Sequence, residues 1–146
     1  MVFFGEYRGK IDNQGRLVIP AKLRASLGNK KKKLVYITRG LENCLFLFSE
    51  KIWNSQSEKL KLLPFTKGDP RAFTRLFFSG VYQSEIDKQG RILIPAYLLQ
   101  YAEIKEKIVI VGVGTRIEIW EEEKWDKYFS HSLLSYGELA EKLIEL

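Results

Sequence analysis

The sequence predicts an α+β protein made of two tandem repeats, each a β-hairpin followed by a short helix. A thirteen-residue segment occurs twice, at 11–23 and again 75 positions later at 86–98, with nine identical positions. Within each copy a tight turn separates two strand-like segments, and a proline then introduces a helical stretch. Amphipathic segments with helical spacing lie between and after the copies. We therefore expect each copy to build one half of a single β-rich body.

The turn of each copy carries its most distinctive residues. In the first copy a strand ends at Asp12, Gly15 closes a three-residue turn and Arg16 opens the next strand. Three-residue hairpin loops favour a type I turn followed by a left-handed residue, where glycine carries no Cβ penalty. The pattern predicts a hairpin whose Asp and Arg stand opposite each other, close enough to pair. The second copy has the same turn residues at Asp87, Gly90 and Arg91.

A proline ends the second strand of each copy, at Pro20 and Pro95. Proline has no N–H for a strand ladder, and its fixed backbone angle suits the start of a helix. In the first copy this predicts a short helix through Leu23 and Leu27 that stops near Gly28.

Downstream of the short helix, both copies predict a second hairpin of nearly continuous apolar strands, buried on both faces. Residues 34–37 of the first copy align with 108–111 of the second, and residues 45–48 align with 117–120. The tryptophans that follow these strands also correspond, as Trp53 and Trp125.

Helical segments connect the copies and follow the second one. Ser49 is a suitable N-cap, and Asp69-Pro70 opens another helix. The C-terminal residues repeat the helical spacing at Leu139, Leu143 and Leu146. We interpret the aromatic side chains of these helices as core packing rather than as a cofactor site. The predicted divisions are repeat one at 5–50, a helical connector at 51–79, repeat two at 80–123 and a C-terminal helical segment at 124–146.

The net charge of +6 is unevenly distributed along the chain. Residues 1–75 carry 16 Lys and Arg against 6 Asp and Glu, whereas residues 76–146 carry 8 against 12. A basic half can meet a polyanion, and the acidic half of one copy can dock on the basic half of another. The alternative is two solvated faces of an ordinary protein.

The composition argues against an enzyme, a cofactor site and a membrane protein. Cys44 is the single cysteine and His131 the single histidine, so neither a metal cluster nor a Cys/His dyad can form within one chain. Both residues are expected to be packing or surface positions. No apolar run approaches the roughly 18 residues of a membrane span, and no secretion signal is apparent at the start. We expect a cytoplasmic protein without cofactors.

The order of turn, proline-ended strand, short helix and apolar hairpin resembles the AbrB-like (SpoVT-AbrB) DNA-binding module. Two such modules in one chain are similar to the MraZ family, and the resemblance covers nearly the whole chain. It implies two repeats interlocked into one pseudo-twofold, β-barrel-like body with peripheral helices. It also implies a ring-like homo-oligomer that binds double-stranded DNA at the nucleoid and represses the division and cell-wall gene cluster. The rival interpretation is an AbrB-fold scaffold that binds another protein.

The candidate DNA-binding residues are the cations around the turns. We expect Arg16 and Arg91 to read bases or anchor phosphates, because the arginine fork matches the two major-groove acceptors of guanine. Copy one has more cations nearby than copy two, so it is predicted to carry most of the DNA contact. The expected backbone contacts are Arg8, Lys10, Lys22 and Arg24 in copy one and Lys88 in copy two.

Several motif residues have a structural interpretation instead. The aspartates are expected to pair with the turn arginines rather than to approach phosphate, which repels a carboxylate. The glycines are expected to form the turns and the prolines to start the helices. The basic run from Asn29 to Lys33 predicts either further phosphate contacts or a solvated loop. The structural set is Asp12, Gly15, Pro20, Asp87, Gly90 and Pro95.

Overall fold

The chain alternates strands and helices in the order that the two repeats predict. The computed structural model describes residues 2–28 and 30–144, so the predicted roles of Asn29 and Leu146 lie outside the described residues. Repeat one contains β1 (Phe3–Lys10), β2 (Arg16–Val18), α1 (Ala21–Ala25), β3 (Leu34–Arg39) and β4 (Leu45–Ser49). Two helices connect the repeats, α2 (Glu50–Leu60) and α3 (Gly68–Ser79). Repeat two contains β5 (Tyr82–Glu85), β6 (Arg91–Leu93), α4 (Ala96–Tyr101), β7 (Lys107–Gly114) and β8 (Ile117–Glu121), and α5 (Glu122–Leu133) and α6 (Tyr136–Leu143) follow it.

The two repeats exchange strands, which confirms the α+β class and the interlocked arrangement. Six strands form one antiparallel sheet in the order β1-β7-β8-β4-β3-β5, and β2 pairs with β6 in a separate two-stranded ribbon. The first strand of each repeat thus pairs with the third strand of the other repeat. If each strand is replaced by its equivalent from the other repeat, the same strand order is read from the opposite edge of the sheet. The body therefore has pseudo-twofold symmetry. The strands form a sheet covered by a ribbon, and β1 and β5 are the edges of that sheet.

The predicted hairpin around each turn is only partly correct. The turn itself forms, and the Asp12 N–H donates to the Arg16 carbonyl at 2.9 Å. The flanking strands β1 and β2 do not continue as a ladder, however, because β1 pairs with β7 and β2 pairs with β6. Pairing with the other repeat gives both strands partners that the turn alone would not provide.

The predicted alignment of the second hairpins of the two repeats is wrong by one residue in the first strand, where it matches residues 34–37 to 108–111. Ile37 lies opposite Tyr82, and Ile110 lies opposite the equivalent Tyr7. Ile37 therefore corresponds to Ile110, one residue earlier than predicted, whereas the match of residues 45–48 to 117–120 agrees with the strand register. Apolar residues occupy both faces of these strands, so hydrophobic periodicity does not distinguish the two alignments.

The main core lies between the sheet and the ribbon. Strands β3, β4, β7 and β8 place alternate side chains on this face, and α1 and α4 cover the ribbon's flanks. Burying aliphatic side chains of this size contributes roughly 1.5–3 kcal/mol each relative to exposure. The fully buried members of this core include Leu17, Ile19, Ile37, Leu45, Leu47, Ile92, Ile94, Leu98, Ile110 and Ile119.

Helices cover the opposite face of the sheet, as the amphipathic spacing predicts. Ser49 caps α2, its hydroxyl accepting from the Ile52 N–H at 3.2 Å. Trp53 of α2 stacks on Tyr36 of the sheet and on Phe77 of α3, so these aromatic residues are packing residues as predicted. None of the described helices is both long and apolar enough to cross a membrane.

Candidate nucleic-acid interface

The β2–β6 ribbon brings the two signature turns together. Leu17 lies directly opposite Ile92 at its centre, and these positions are equivalent in the two repeats. At either end the ladder continues into the turns, because the Ile19 N–H donates to the Gly90 carbonyl at 2.9 Å. The Ile94 N–H donates to the Gly15 carbonyl at 2.8 Å. Each turn is therefore held by the strand end of the other repeat.

The solvent face of the ribbon carries both signature arginines. Leu17 and Ile92 point into the core, so their neighbours along each strand point outward. The outward pairs are Arg16 with Leu93 and Val18 with Arg91. Val18 is 53% exposed. The face thus presents two arginines in pseudo-twofold positions, with aliphatic side chains between them.

The turn aspartates organise the backbone of their own turns. Asp12 Oδ1 accepts from the N–H groups of Gln14 and Arg16, both at 2.9 Å. The hydrogen bond from the Arg16 N–H lowers the pKa of the Asp12 carboxyl below its usual value. Asp87 Oδ1 accepts the corresponding N–H of Arg91, which is the first cause of a lowered pKa there too. Both aspartates therefore have a structural role within the turns.

The glycine at the end of each turn is required by its backbone conformation. Gly15 has φ +80° and Gly90 has φ +78°, in the left-handed region predicted from the turn pattern. A Cβ on Gly15 would lie 2.7 Å from the Ile94 carbonyl oxygen. A Cβ on Gly90 would instead overlap the guanidinium of Arg24, which lies against this turn. The two turns therefore have different surroundings.

The predicted Asp–Arg ion pair forms in only one of the two turns. Arg91 Nε lies 2.9 Å from Asp87 Oδ2, whereas the Arg16 guanidinium donates to the side chain of Gln14. Within residues 2–28 and 30–144, no salt bridge joins Asp12 to Arg16. The prediction fails for copy one because the Arg16 guanidinium donates to the Gln14 side chain instead, although both aspartates accept the equivalent backbone N–H groups. The positive charge of Arg16 is consequently not neutralised by its own turn.

A groove of about 710 Å³ runs beside the turn of repeat one. Both signature arginines line it, together with Lys10 and Lys105. Its acidic members are Asp12 and Glu106, and Lys10 Nζ lies 3.8 Å from a Glu106 carboxylate oxygen. Three of the predicted cations, Lys10, Arg16 and Arg91, are therefore brought together here.

A second groove, of about 690 Å³, runs beside the turn of repeat two. Lys88 lines it as part of that turn, and Arg24 reaches it from α1 of repeat one. Lys31 and Lys33 of the basic run line it as well. Charge counting assigned these lysines and Arg24 to the surroundings of copy one, but the strand exchange places them beside copy two. In the sequence, the basic run was the feature that indicated further cations at the site.

Two of the predicted backbone-binding cations lie elsewhere. Arg8 is on the face of the sheet opposite to the ribbon, where its guanidinium contacts Glu6, Glu122 and Asp126 at 3.0, 3.7 and 2.8 Å. Hydrogen bonds to Asp126 and Glu6 raise the pKa of Arg8. The structure thus argues against Arg8 as a phosphate ligand, because carboxylates already surround it. Lys22 is exposed on α1 and lines neither groove.

The remaining reactive side chains have no catalytic arrangement. Cys44 is fully buried in a small cluster with Trp120, and burial raises the pKa of its thiol. His131 lies exposed on α5. Among the described residues, no three His, Cys, Asp or Glu side chains are grouped so that they could hold a metal ion.

Comparison with known proteins identifies the family. The family described as "MraZ protein, putative antitoxin-like" matches twice, over residues 2–76 and 77–145. The transcriptional regulator MraZ of Heliobacterium modesticaldum is 50% identical over 144 residues, covering 99% of this chain and 98% of that protein. The proteins of the same name from Desulforamulus reducens and Carboxydothermus hydrogenoformans are 46% and 48% identical, with 99% of this chain and 99% and 98% of theirs covered. The chain therefore belongs to the MraZ family, a family of transcriptional regulators rather than enzymes.

Proposed function

We propose that the chain binds double-stranded DNA in a sequence-specific manner, with the β2–β6 ribbon as its reading element. The observation that supports this most directly is the pair of arginines on the solvent face of one narrow ribbon. A two-stranded ribbon fits the major groove of B-DNA, which is about 12 Å wide. The buried face of the ribbon packs against a six-stranded sheet, which supports the strands that carry both arginines.

The chemistry of this face matches base edges. An arginine fork donates to the O6 and N7 atoms of guanine, which is the most common specific contact in the major groove. Aliphatic side chains can contact the methyl group of thymine. Arg16 and Arg91 would supply the first kind of contact, and Val18 and Leu93 between them the second. The nearby cations that carboxylates do not hold would neutralise phosphates.

A competition experiment tests this function against a protein-binding scaffold of the same fold. We expect the protein to shift its own upstream DNA in a native gel at near-physiological salt. An excess of unlabelled upstream DNA should remove the shift, and the same excess of scrambled DNA should leave it. Equal competition by both would contradict sequence-specific recognition and support the scaffold. Salt must be fixed, because non-specific binding depends steeply on it.

We propose further that the chain acts as a ring-like homo-oligomer, assembled through its helical pairs. The α2–α3 region, residues 50–79, has six basic and three acidic residues. The equivalent α5–α6 region, residues 122–144, has three basic and five acidic residues. Opposite charges on equivalent surfaces favour a head-to-tail contact between copies, which closes into a ring if the rotation permits. Within the sheet, strands from the basic and acidic halves of the sequence alternate, so the sheet does not separate the two charges. We therefore expect the complementary charges of neighbouring copies to meet at the helices.

Both helical pairs also expose apolar side chains. An apolar groove of about 460 Å³ lies between α5 and α6, lined by residues that include Trp125, Phe129, Leu139 and Leu143. On the α2–α3 side, Leu76 is 61% exposed. A contiguous apolar surface such as the α5–α6 groove typically marks an interaction site. We infer that the α5–α6 face of one copy covers the α2–α3 face of the next.

The ring also supports the regulatory part of the proposal. Several ribbons in one assembly would contact successive DNA sites, and multivalency would raise a modest single-site affinity. Such an assembly on upstream DNA would exclude the transcription machinery and place the protein in the cytoplasm at the nucleoid. This fits the repression of a division and cell-wall gene cluster that the family resemblance implies.

Placing a charge in either apolar face should dissociate the ring. Leu143→Glu on α6 and Leu76→Glu on α3 each introduce a carboxylate into the proposed contact, and desolvating it would be costly. We expect light scattering after size exclusion to show smaller particles for both, with unchanged circular dichroism. Leu41→Glu, at a leucine that is 61% exposed on the β3–β4 loop, is the matched control and should keep the wild-type size. A ring that survives both substitutions would place the interface elsewhere, and one unaffected by molar salt would count against the electrostatic component.

A further inference from the structure

The surroundings of the two turns are unequal, because each repeat contributes different residues beside the turn of the other. The Ile86 N–H, next to the turn of repeat two, donates to the Lys33 carbonyl at 2.9 Å. The equivalent Ile11 N–H, next to the turn of repeat one, donates to the Glu106 carbonyl at 2.8 Å. These two hydrogen bonds establish that Lys33 and Glu106 occupy equivalent positions beside opposite turns. A lysine at one turn thus replaces a glutamate at the other.

Two further pairs of equivalent positions also have a cation only at the turn of repeat two. Arg24 lies against the turn of repeat two, and its equivalent at the turn of repeat one is Leu99. Lys88 corresponds in the same way to Asn13. At three equivalent positions the turn of repeat two therefore has a cation where the turn of repeat one has an aliphatic, acidic or amide side chain. Lys31 adds a fourth cation to the groove at repeat two.

Main-chain carbonyls, rather than carboxylates, hold two of these cations. Arg24 Nη1 donates to the Ile19 carbonyl at 2.8 Å, and Lys33 Nζ donates to the Arg24 carbonyl at 3.4 Å. Such contacts fix the position of a charge without cancelling it. Across residues 2–28 and 30–144, no salt bridge involves Arg24, Lys31, Lys33 or Lys88.

The carboxylates of this groove have other partners. Asp87 accepts hydrogen bonds from its own turn and from Arg91, and Glu85 lies 4.0 Å from Lys32. In the groove at repeat one, by contrast, Lys10 is paired with Glu106. Among the described residues, four cations of this groove are in no salt bridge, against Arg16 and Lys105 in the groove at repeat one, so the unpaired positive charge is greater beside the turn of repeat two.

We propose that the groove beside the turn of repeat two is the principal site for the DNA sugar-phosphate backbone. It is lined by Arg24, Lys31, Lys33 and Lys88. The duplex would then lie off-centre on a pseudo-symmetric ribbon, held mainly on the repeat-two side by cations that repeat one contributes. This inference rests on the proposed DNA binding and adds the direction in which the DNA leaves the ribbon.

The salt dependence of binding tests the assignment. Each phosphate contact contributes about 0.9 to the slope of log K against log salt, so Lys31→Gln/Lys33→Gln should make the slope shallower by roughly 1–2. Because backbone contacts do not read sequence, the ratio of affinities for upstream and scrambled DNA should not change. The matched control is Lys105→Gln/Lys107→Gln, which removes the same charge at the same spacing on the repeat-one side. Its effect should be smaller, since only Lys105 of this pair lines the groove at repeat one.

The outcomes separate this inference from the proposed function. If the wild-type protein does not prefer its upstream DNA, the proposed function fails and this inference fails with it. If the wild type does prefer it, an unchanged slope in the Lys31/Lys33 variant, or an equal loss in the control, overturns the groove assignment alone. A lowered affinity ratio would show base reading and also overturn the backbone role. Should the double variant fail to fold, Lys88→Gln in the exposed turn provides the same slope measurement.

Discussion

Replacing Arg16 with alanine should cause the largest loss of DNA affinity of any single substitution in this chain. One bidentate arginine–guanine contact discriminates by about 1–3 kcal/mol, which corresponds to roughly 5–150-fold in affinity per ribbon. Every protomer of an assembly would lose this contact, so the effect on a multivalent complex should be greater still. Fluorescence anisotropy with labelled upstream DNA, at constant salt, measures the change.

Two other arginines provide the controls for Arg16→Ala. Arg91→Ala should have a smaller effect, because the ion pair with Asp87 occupies the Arg91 Nε and offsets part of its charge. Arg8→Ala should leave affinity nearly unchanged, since Arg8 lies on the opposite face of the sheet among carboxylates. Circular dichroism should be the same for all three variants. A folded Arg16→Ala protein that binds like the wild type would remove the ribbon from the proposed site, and an equal loss in Arg8→Ala would restore the sequence-based assignment.

The second large effect is expected on stability, from Gly15→Ala. An L residue in the left-handed region costs roughly 1–2 kcal/mol. The new Cβ would also lie 2.7 Å from the Ile94 carbonyl oxygen, which is backbone and accepts little displacement. We therefore expect the free energy of unfolding to fall by more than about 2 kcal/mol, with a clear decrease in the thermal midpoint.

Gly90→Ala is the matched comparison because its φ is nearly the same. The overlapping group there is the end of the Arg24 side chain rather than backbone, so it can move aside with the loss of its hydrogen bond to the Ile19 carbonyl. We expect Gly90→Ala to be less destabilising than Gly15→Ala, and to weaken DNA binding by displacing Arg24 from the groove. Denaturant unfolding of both variants measures the difference. Equal destabilisation would show that the contact with Ile94 contributes nothing, and that the positive φ alone accounts for the loss of stability in both variants.

The local features of the fold could be predicted from the sequence because they depend on nearby residues. The Asp12 and Gly15 turn, the Ser49 cap and the amphipathic helices all follow from short-range chemistry. The strand partners could not be predicted in this way. Alternation specifies which face of a strand is buried but not which strand lies beside it. A three-residue turn favours pairing of β1 with β2, and only the whole topology shows that each pairs with the other repeat.

In the candidate site, too, local features could be predicted from the sequence and long-range contacts could not. The sequence identifies the arginines of the turns, but the availability of each cation depends on partners that are distant in sequence. Arg8 is surrounded by carboxylates because Asp126 reaches it from 118 positions away. Arg24 reaches the turn of repeat two because the repeats are interlocked. Charge counting along the chain therefore identifies the basic segment but does not show that Arg24 and the basic run lie beside the turn of repeat two.

The exchange of first strands between repeats also has a consequence for biosynthesis. Phe3 pairs with Gly114, so the earliest strand to be synthesised must wait for more than a hundred further residues before its partner exists. Strand β3 waits in the same way for β5. Contacts of such long sequence separation slow folding, and the exposed strand edges of the growing chain are vulnerable to aggregation in the meantime. Repeat one can therefore complete its strand pairing only after β7 of repeat two has been synthesised.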